Sequence, residues 1–273
     1  MIAPVFHSPG QIAQQLTGRE YLSWSAVSTF LRCPLRYRFR YIDNLPEPFV
    51  SANLVFGSAI HAALEAHYRE LLVAEHPPDL LSLLAVYHEY WKQVDLATVH
   101  FGCKEDLATL GALAERMLIV FLASKLSRPA GHILGIEEEF TAPVISGCPH
   151  LFARLDLLVE HEESLLVTDF KTSRSRWSRD DVDAAAGQLL VYHELVHQLT
   201  DKPVQLQFAL FTKTKSPEIT LYPVTVEPGH IERIKRLIAG VWRAITSGHF
   251  YPSPSALNCS GCPYRAPCAA WRG

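Results

Sequence analysis

No stretch of this 273-residue chain reaches about 18 uninterrupted apolar residues, and no basic segment leading into an apolar run stands near Met1. Neither a membrane span nor a secretory leader is predicted, and a cytoplasmic location is the expectation. Charge of one sign is also missing: 25 Lys and Arg stand against 28 Asp and Glu, a formal net charge of -3. General attraction to a polyanion is therefore excluded, and any such binding must come from local basic patches. The chain has no internal repeat, no low-complexity tract, and neither G-x-x-x-x-G-K-[ST] nor G-x-G-x-x-G. A built-in ATP motor has no support in it. What is present is a globular composition, 48% apolar and 19% charged, with length for one large domain or two small ones.

The most informative stretch runs from Leu151 to Ser173, LFARLDLLVEHEESLLVTDFKTS. Two Leu- and Val-rich runs flank His161-Glu162-Glu163-Ser164 and read as the arms of a β-hairpin. A turn centred between Glu162 and Glu163 sets Asp156 opposite Asp169 and Arg154 opposite Lys171, and directly opposed residues share a face. Asp169 and Lys171, two apart, share that face as well. Two adjacent carboxylates repel unless something neutralises them, and a divalent cation with hard oxygen ligands, magnesium or manganese, is the natural answer. Lys171 would then hold or help deprotonate a water, or stabilise charge developing on a phosphate. Taken alone, a D-x-K is far more often a solvated surface hairpin, so the remaining motifs decide.

Along the chain, Tyr21 to Asp43 starts a helix at Ser23 or Ser25, and Pro34 breaks or restarts it. In this segment Arg32, Arg36, Arg38 and Arg40 alternate with Tyr37, Phe39 and Tyr41. That mixture suits phosphate contact with base stacking, or arginines snorkelling around an aromatic core stripe. Asn53 to Leu72 is a strong helix, with His61 and Glu65 one turn apart. Helices over Leu80 to Val94 and Glu105 to Leu126 make a helical insertion of about residues 75–130, read as a lid or substrate guide. Gly135 to Val144 is a strand whose Glu137, Glu138 and Glu139 are read as solvated edge charges, with an acidic site residue as the alternative. Arg174, Arg176 and Arg179 form a basic loop suited to a phosphate backbone. Asp181 to Leu199 is a helix projecting Gln188 and Tyr192 together. A strand pair over Gln205 to Thr214 and Glu218 to Val226, and a helix over Gly229 to Ser247, follow. In the tail, Cys259, Cys262 and Cys268 form a C-x2-C-x5-C array whose spacing favours metal or cluster ligation over disulfides, with zinc and an iron-sulfur cluster both open and Cys33, Cys103 and Cys148 as candidate fourth ligands.

These residues resemble the RecB-like branch of the PD-(D/E)XK nucleases, which includes the nuclease domains of AddB and RecB and the CRISPR-associated RecB-like exonucleases. The likeness runs over almost the whole chain: Cys33-Pro34 in an early helix, Gly57 and His61 in a G-x-x-x-H helix, Asp156 as first acid, Asp169-Phe170-Lys171, Gln188 and Tyr192 in Q-x-x-x-Y, and the cysteine triplet. It implies a restriction-endonuclease-like α/β fold, a mixed sheet flanked by helices, forming a single domain over 1–273 with the helical insertion and a C-terminal iron-sulfur region. It also implies that His61, Asp156, Asp169 and the Phe170 carbonyl bind Mg2+ or Mn2+, that Lys171 orients the attacking water, and that Gln188 and Tyr192 help place DNA. Cys33 would join Cys259, Cys262 and Cys268 on a 4Fe-4S cluster. The implied activity is exonucleolytic hydrolysis of single-stranded or end-bearing DNA, in repair and recombination or in CRISPR adaptation, with helicase or adaptation proteins as partners and no membrane. The rival is an inactive DNA-binding iron-sulfur subunit. One departure is the approach Phe152-Ala153-Arg154-Leu155 to Asp156, where members commonly carry a glycine.

Overall fold

Side-chain caps mark most helix starts. The computed structural model describes residues 7–74 and 77–273, so the first two residues of the expected insertion lie outside the described residues. Ser8 closes a capping box on α1 (Pro9–Thr17). Strand β1 (Tyr21–Ser23) feeds α2 (Trp24–Arg32), capped by Ser23, and the chain restarts at Pro34 as α3 (Pro34–Tyr37), which runs into a π-helical turn over Arg38–Ile42. Next come β2 (Val50–Ser51), α4 (Ala52–Val73), α5 (Leu80–Lys92), β3 (Val99–His100) and α6 (Leu107–Ala123). Strands β4 (His132–Ala142), β5 (His150–Glu160) and β6 (Leu165–Ser173) lead to α7 (Arg179–Ala185) and α8 (Gly187–His197). The chain ends with β7 (Val204–Thr212), β8 (Ile219–Val224), α9 (Pro228–Thr246), α10 (Ala256–Cys259) and α11 (Arg265–Ala270). The helix expected over Asp181 to Leu199 is thus two, parted at Ala186.

Two compact units emerge: Met1–Pro48 with Glu139–Ala153 and Val226–Gly273, and Phe49–Glu138 with Arg154–Thr225. In the second, β5 and β6 pair antiparallel from Glu160↔Leu165 to Leu157↔Thr168, the register expected from a turn between Glu162 and Glu163. β6 and β7 pair in parallel from Leu165↔Val204 to Ser173↔Thr212, and β8 lies antiparallel on β7. A parallel neighbour needs a crossover, which α7 and α8 supply, and α8 packs back on β6 and β7. The sheet is therefore mixed and flanked by helices. Its core joins Phe56, Ile60, Leu64 and Tyr68 of α4 to Tyr87 and Trp91 of α5, Leu110, Met117 and Phe121 of α6, and Phe170 and Phe211 of the sheet. The helices read as a lid are thus built into this core. α6, LATLGALAERMLIVFLA, buries Leu110, Ala114, Met117, Leu118 and Phe121 at helical spacing and leaves Glu115, Arg116 and Ile119 exposed.

In the first unit, β1 runs parallel to the start of β5, with Tyr21 stacked on Phe152 at 4.6 Å. Tyr37 packs against Phe30, Tyr41 and Phe250, while Arg38 pairs with Asp43 and Arg40 with Glu47. The aromatic members of the alternation are therefore a packing stripe, with Arg38 and Arg40 paired, Arg32 exposed and the Arg36 Nε buried without a partner. A small second core gathers Leu35, Phe39 and Tyr264 with Cys33, Cys262 and Cys268.

If α6 belongs to the core, Phe121→Ala should destabilise the protein by about 3–5 kcal/mol in urea unfolding, since the ring is fully buried against His67, Tyr68 and Phe211. A loss under about 1 kcal/mol would mark α6 as a detachable flap.

Candidate active site

The D-x-K segment works because a strand alternates. Phe170 points into the core, stacked on Tyr68 at 6.0 Å and edge-on to His61 at 6.3 Å, while Asp169 and Lys171 occupy the other face. Ladder pairing with β5 is recorded as far as Leu157↔Thr168, and beyond it the Phe170 N–H donates to Asp156 Oδ2 at 2.7 Å. The N–H and carbonyl of one strand residue point to the same side, so the Phe170 carbonyl faces the Asp156 side as well. His61, from the middle of α4, brings Nδ1 to 3.5 Å from Asp156 Oδ2 and 3.9 Å from Glu137 Oε1.

Asp169 is only 1% exposed. Its Oδ1 accepts from Gln188 Nε2 at 2.8 Å, and its Oδ2 lies 2.6 Å from Lys171 Nζ as an ion pair, off the line of a hydrogen bond. Lys171 also donates to Gln188 Oε1 at 3.0 Å, and Gln188 Nε2 donates to the buried Tyr192 hydroxyl at 2.6 Å. Gln188 and Tyr192 thus meet as expected for i and i+4 on a helix, and both are committed to the D-x-K pair.

Burial and the Asp156 carboxylate push Asp169 up to about 6, with the Lys171 ammonium opposing them. Burial works against the His61 imidazolium, yet hydrogen bonds and charge from Asp156 and Glu137 outweigh it and push His61 up to about 10. Burial would raise Asp156, but His61 and Lys171 hold it below the usual carboxylate range. Burial disfavours the Lys171 ammonium, and Asp169 and Asp156 overcome this to raise its pKa.

Metal-ligand atoms of His61, Glu137 and Asp156 lie within 4.8 Å of one another, and no other set of three such side chains gathers as closely among the described residues. One imidazole and carboxylate oxygens suit a hard divalent ion, and the imidazolium proton now stands where such a cation would relieve the same carboxylates. The donor set therefore fits a divalent metal. Asp169 Oδ2, buried without an aligned donor, is a further oxygen facing the need for positive charge.

A family model for the PD-(D/E)XK nuclease superfamily matches residues 21–269. The chain belongs to the PD-(D/E)XK nuclease superfamily. It is a nuclease by that membership, DNA is the substrate class the family implies, and the family uses divalent metals. Among solved structures, the chain is similar to a candidate exonuclease from Eubacterium rectale, at 16% identity and TM-score 0.60 over 100% of this chain and 94% of the other, a likeness of fold. It also matches SSO0001 at 17% identity and TM-score 0.38, covering 91% and 96% of the two chains, which is too low to carry an argument. No curated protein matches the chain.

Glu137, for which the sequence favours a solvated edge charge and offers an acidic site residue as the alternative, joins the cluster of His61 and Asp156. Its backbone is left-handed at φ 51, a conformation costly for glutamate, which interrupts the alternation of β4 and turns the carboxylate toward His61. Gly135 permits the fold-back, since a Cβ there would lie 2.9 Å from the Glu138 Cβ. Arg154, in the segment that departs from the family pattern, binds Glu137 Oε2 at 2.9 Å. In the basic loop, Arg176 is paired with Glu218 and Arg174 with Glu105.

The His61 shift sets a pH signature for the metal-free protein. A pKa raised to about 10 contributes stability that is complete below about 6.5 and lost as pH rises through the folded value. In EDTA, the melting-temperature gap between wild type and His61→Asn should be widest near pH 6 and narrow steadily toward pH 10. A gap independent of pH would show that His61 carries no extra proton.

Proposed function

We propose that this chain is a Mg2+- or Mn2+-dependent deoxyribonuclease acting exonucleolytically on single-stranded or end-bearing DNA. The observation that carries this reading is the convergence of His61, Glu137, Asp156, Asp169 and Lys171 in one partly buried cluster. His61, Glu137, Asp156, Asp169 and the Phe170 carbonyl are the groups that would hold the metal. When bound, a divalent ion polarises the phosphoryl oxygen and acidifies water for attack. Lys171, its pKa raised, stays an ammonium at neutral pH and stabilises charge developing on the phosphate while orienting the water. Gln188 and Tyr192 are positioning residues: one amide holds Asp169 and Lys171 in register, and the Tyr192 hydroxyl fixes that amide.

The four cysteines support placing the chain in the iron-sulfur branch that AddB and the CRISPR-associated exonucleases represent. Cys33, Cys259, Cys262 and Cys268 line one cavity of about 250 Å3 with Leu35, Phe39 and Tyr264. Burial and the three neighbouring thiols raise the Cys268 pKa, as mutually facing sulfurs must. The Ser253 N–H points at Cys33 Sγ from 3.5 Å, and Asn258 Nδ2 bridges the Arg32 and Ser253 carbonyls, so both chain ends are shaped around the cavity. No three of these sulfurs close to within 4.8 Å of one another. Four thiolates would satisfy a tetrahedral zinc or a 4Fe-4S cluster alike, and the likeness to the iron-sulfur branch favours the cluster. Cys103 is exposed and Cys148 lies outside the cavity lining.

On this reading the whole chain is one nuclease domain with its insertion at about 75–130, serving repair and recombination or CRISPR adaptation. Any unwinding would come from a helicase partner, since the chain lacks a P-loop. No helix is long and apolar enough to cross a membrane among the described residues.

Asp169→Ala or Lys171→Ala should abolish Mn2+-dependent cleavage of a fluorescent oligonucleotide while leaving its binding within about threefold, because a group acting in the transition state lowers turnover more than affinity. Wild-type protein that binds DNA and cleaves no form of it, with either metal, would support the inactive iron-sulfur subunit instead. Replacing Cys33 with Ala should bleach the visible chromophore and lower the melting temperature, whereas Cys103→Ala should do neither. Anaerobic protein holding stoichiometric zinc and no iron would overturn the cluster.

A further inference from the structure

Lys213 follows directly on β7. Its N–H donates to the Ser173 carbonyl at 2.6 Å, which sets it beside the end of the strand that carries Asp169 and Lys171. Its ammonium lies 5.8 Å over the Phe56 ring and donates to Asn53 Oδ1 at 2.7 Å. The nearby carboxylate is Glu105, and it is engaged elsewhere: by Arg174 at 3.2 Å, by the Gly102 N–H at 2.9 Å, and by Asn53 Nδ2 at 3.5 Å. Two cations therefore share one carboxylate, and Lys213 forms no ion pair among the described residues. Burial, and then the charge of Arg174, lower the Lys213 pKa against the pull of Glu105. An anion would satisfy what the protein leaves unmatched.

A stacked ring pair stands on the short sheet that leads into α4. The rings of Phe49 and His100 stack at 4.0 Å and 4°, on the two-stranded sheet in which Val50 pairs with Val99 and Ser51 with His100. β2 continues into α4 through the Ser51 cap, so the stacked rings, Asn53 and Lys213 are gathered at the start of that helix. A cationic group beside stacked rings is the combination that holds single-stranded nucleic acid.

The spacing to the candidate active site follows from the elements themselves. Asn53 and His61 both belong to α4, and eight residues of helix span about 12 Å. On β6, Lys171 and Ser173 are two residues apart, about 7 Å along the strand. Both elements lead from the acidic cluster to Lys213.

We propose that Lys213, Arg174 and Asn53 bind a backbone phosphate of the substrate strand about two to three nucleotides from the bond to be cut, with the Phe49 and His100 rings offering a stacking platform for an adjoining base. The proposal rests on the nuclease reading for the meaning of that bond, but strand binding is measurable apart from it. Such a contact makes turnover of a long strand depend on residues that a small phosphodiester never touches.

The test uses the full-length protein and fluorescein-labelled dT12, followed by anisotropy in EDTA across a salt series. Lys213→Gln should weaken binding about tenfold and reduce the slope of log K against log salt by about 0.7, the change expected for one lost phosphate contact on a single strand. Lys213→Arg should restore most of both. With Mn2+, Lys213→Gln should lower kcat/KM on dT12 by a similar factor and leave hydrolysis of bis-p-nitrophenyl phosphate unchanged. Wild-type affinity and slope in Lys213→Gln would overturn the proposal, as would equal slowing on both substrates, which would assign Lys213 to holding the fold. Should Lys213→Gln fail to fold, Arg174→Gln carries the same test, since Arg174 is largely exposed, and an unchanged slope there overturns it. Protein that binds dT12 in a Lys213-dependent way but hydrolyses neither substrate supports the subsite and refutes the nuclease reading alone.

Discussion

A carboxylate that is 1% exposed must be neutralised, and Asp169 sets the terms for the second unit. Its charge is met by Lys171 two residues on, which strand alternation places on the same face. One cation does not cover both Asp169 and Asp156, so a neutral amide, Gln188, is drawn in to bind Asp169 Oδ1 and Lys171 at once. Gln188 can do so because β6 and β7 are parallel, and the connection between parallel strands returns as a helix across the sheet.

The same alternation ties chemistry to stability. Phe170, between the acid and the lysine, is buried against Tyr68, Phe211 and the edge of His61. His61 therefore stands on the same core that fixes the strand, and α4 and β6 cannot shift apart without opening that core. On the polar side, His61 and Arg154 hold the two carboxylates Asp156 and Glu137 in place with positive charge. In the metal-free protein these contacts and the core packing together keep the ligands converged.

In the first unit a small apolar core of Leu35, Phe39 and Tyr264 borders a sulfur-lined cavity. Hydrogen bonds from the Leu35 N–H to the Tyr251 carbonyl and from the Tyr264 hydroxyl to the Leu45 carbonyl join segments more than 200 residues apart in sequence. A ligand that gathered four thiolates here would close a long loop and add its binding free energy to that of folding.

Local pattern was enough to read much of this protein. The hairpin register, and with it the approach of Asp156 to Asp169, followed from two apolar runs and a polar turn, because a period of two leaves a strand little choice of face. The i and i+4 spacing of Gln188 and Tyr192, a helix start at Ser23 or Ser25, of which Ser23 is the cap, and the restart at Pro34 were equally local. What sequence alone left open depended on partners distant along the chain. The arginines at 32–40 fitted nucleic acid and packing alike until Tyr37, Phe39 and Tyr41 were seen to turn inward. The helices at 80–123 resembled a lid because their apolar faces gave no hint of what they cover. Glu137 enters the site through a left-handed backbone held by Gly135 and by Arg154, and no periodicity records a single residue out of phase. Lys213 has no motif at all. Its unpaired charge exists only because tertiary folding sets Arg174 against Glu105 first, and electrostatic neutrality is settled among neighbours in space, not in sequence.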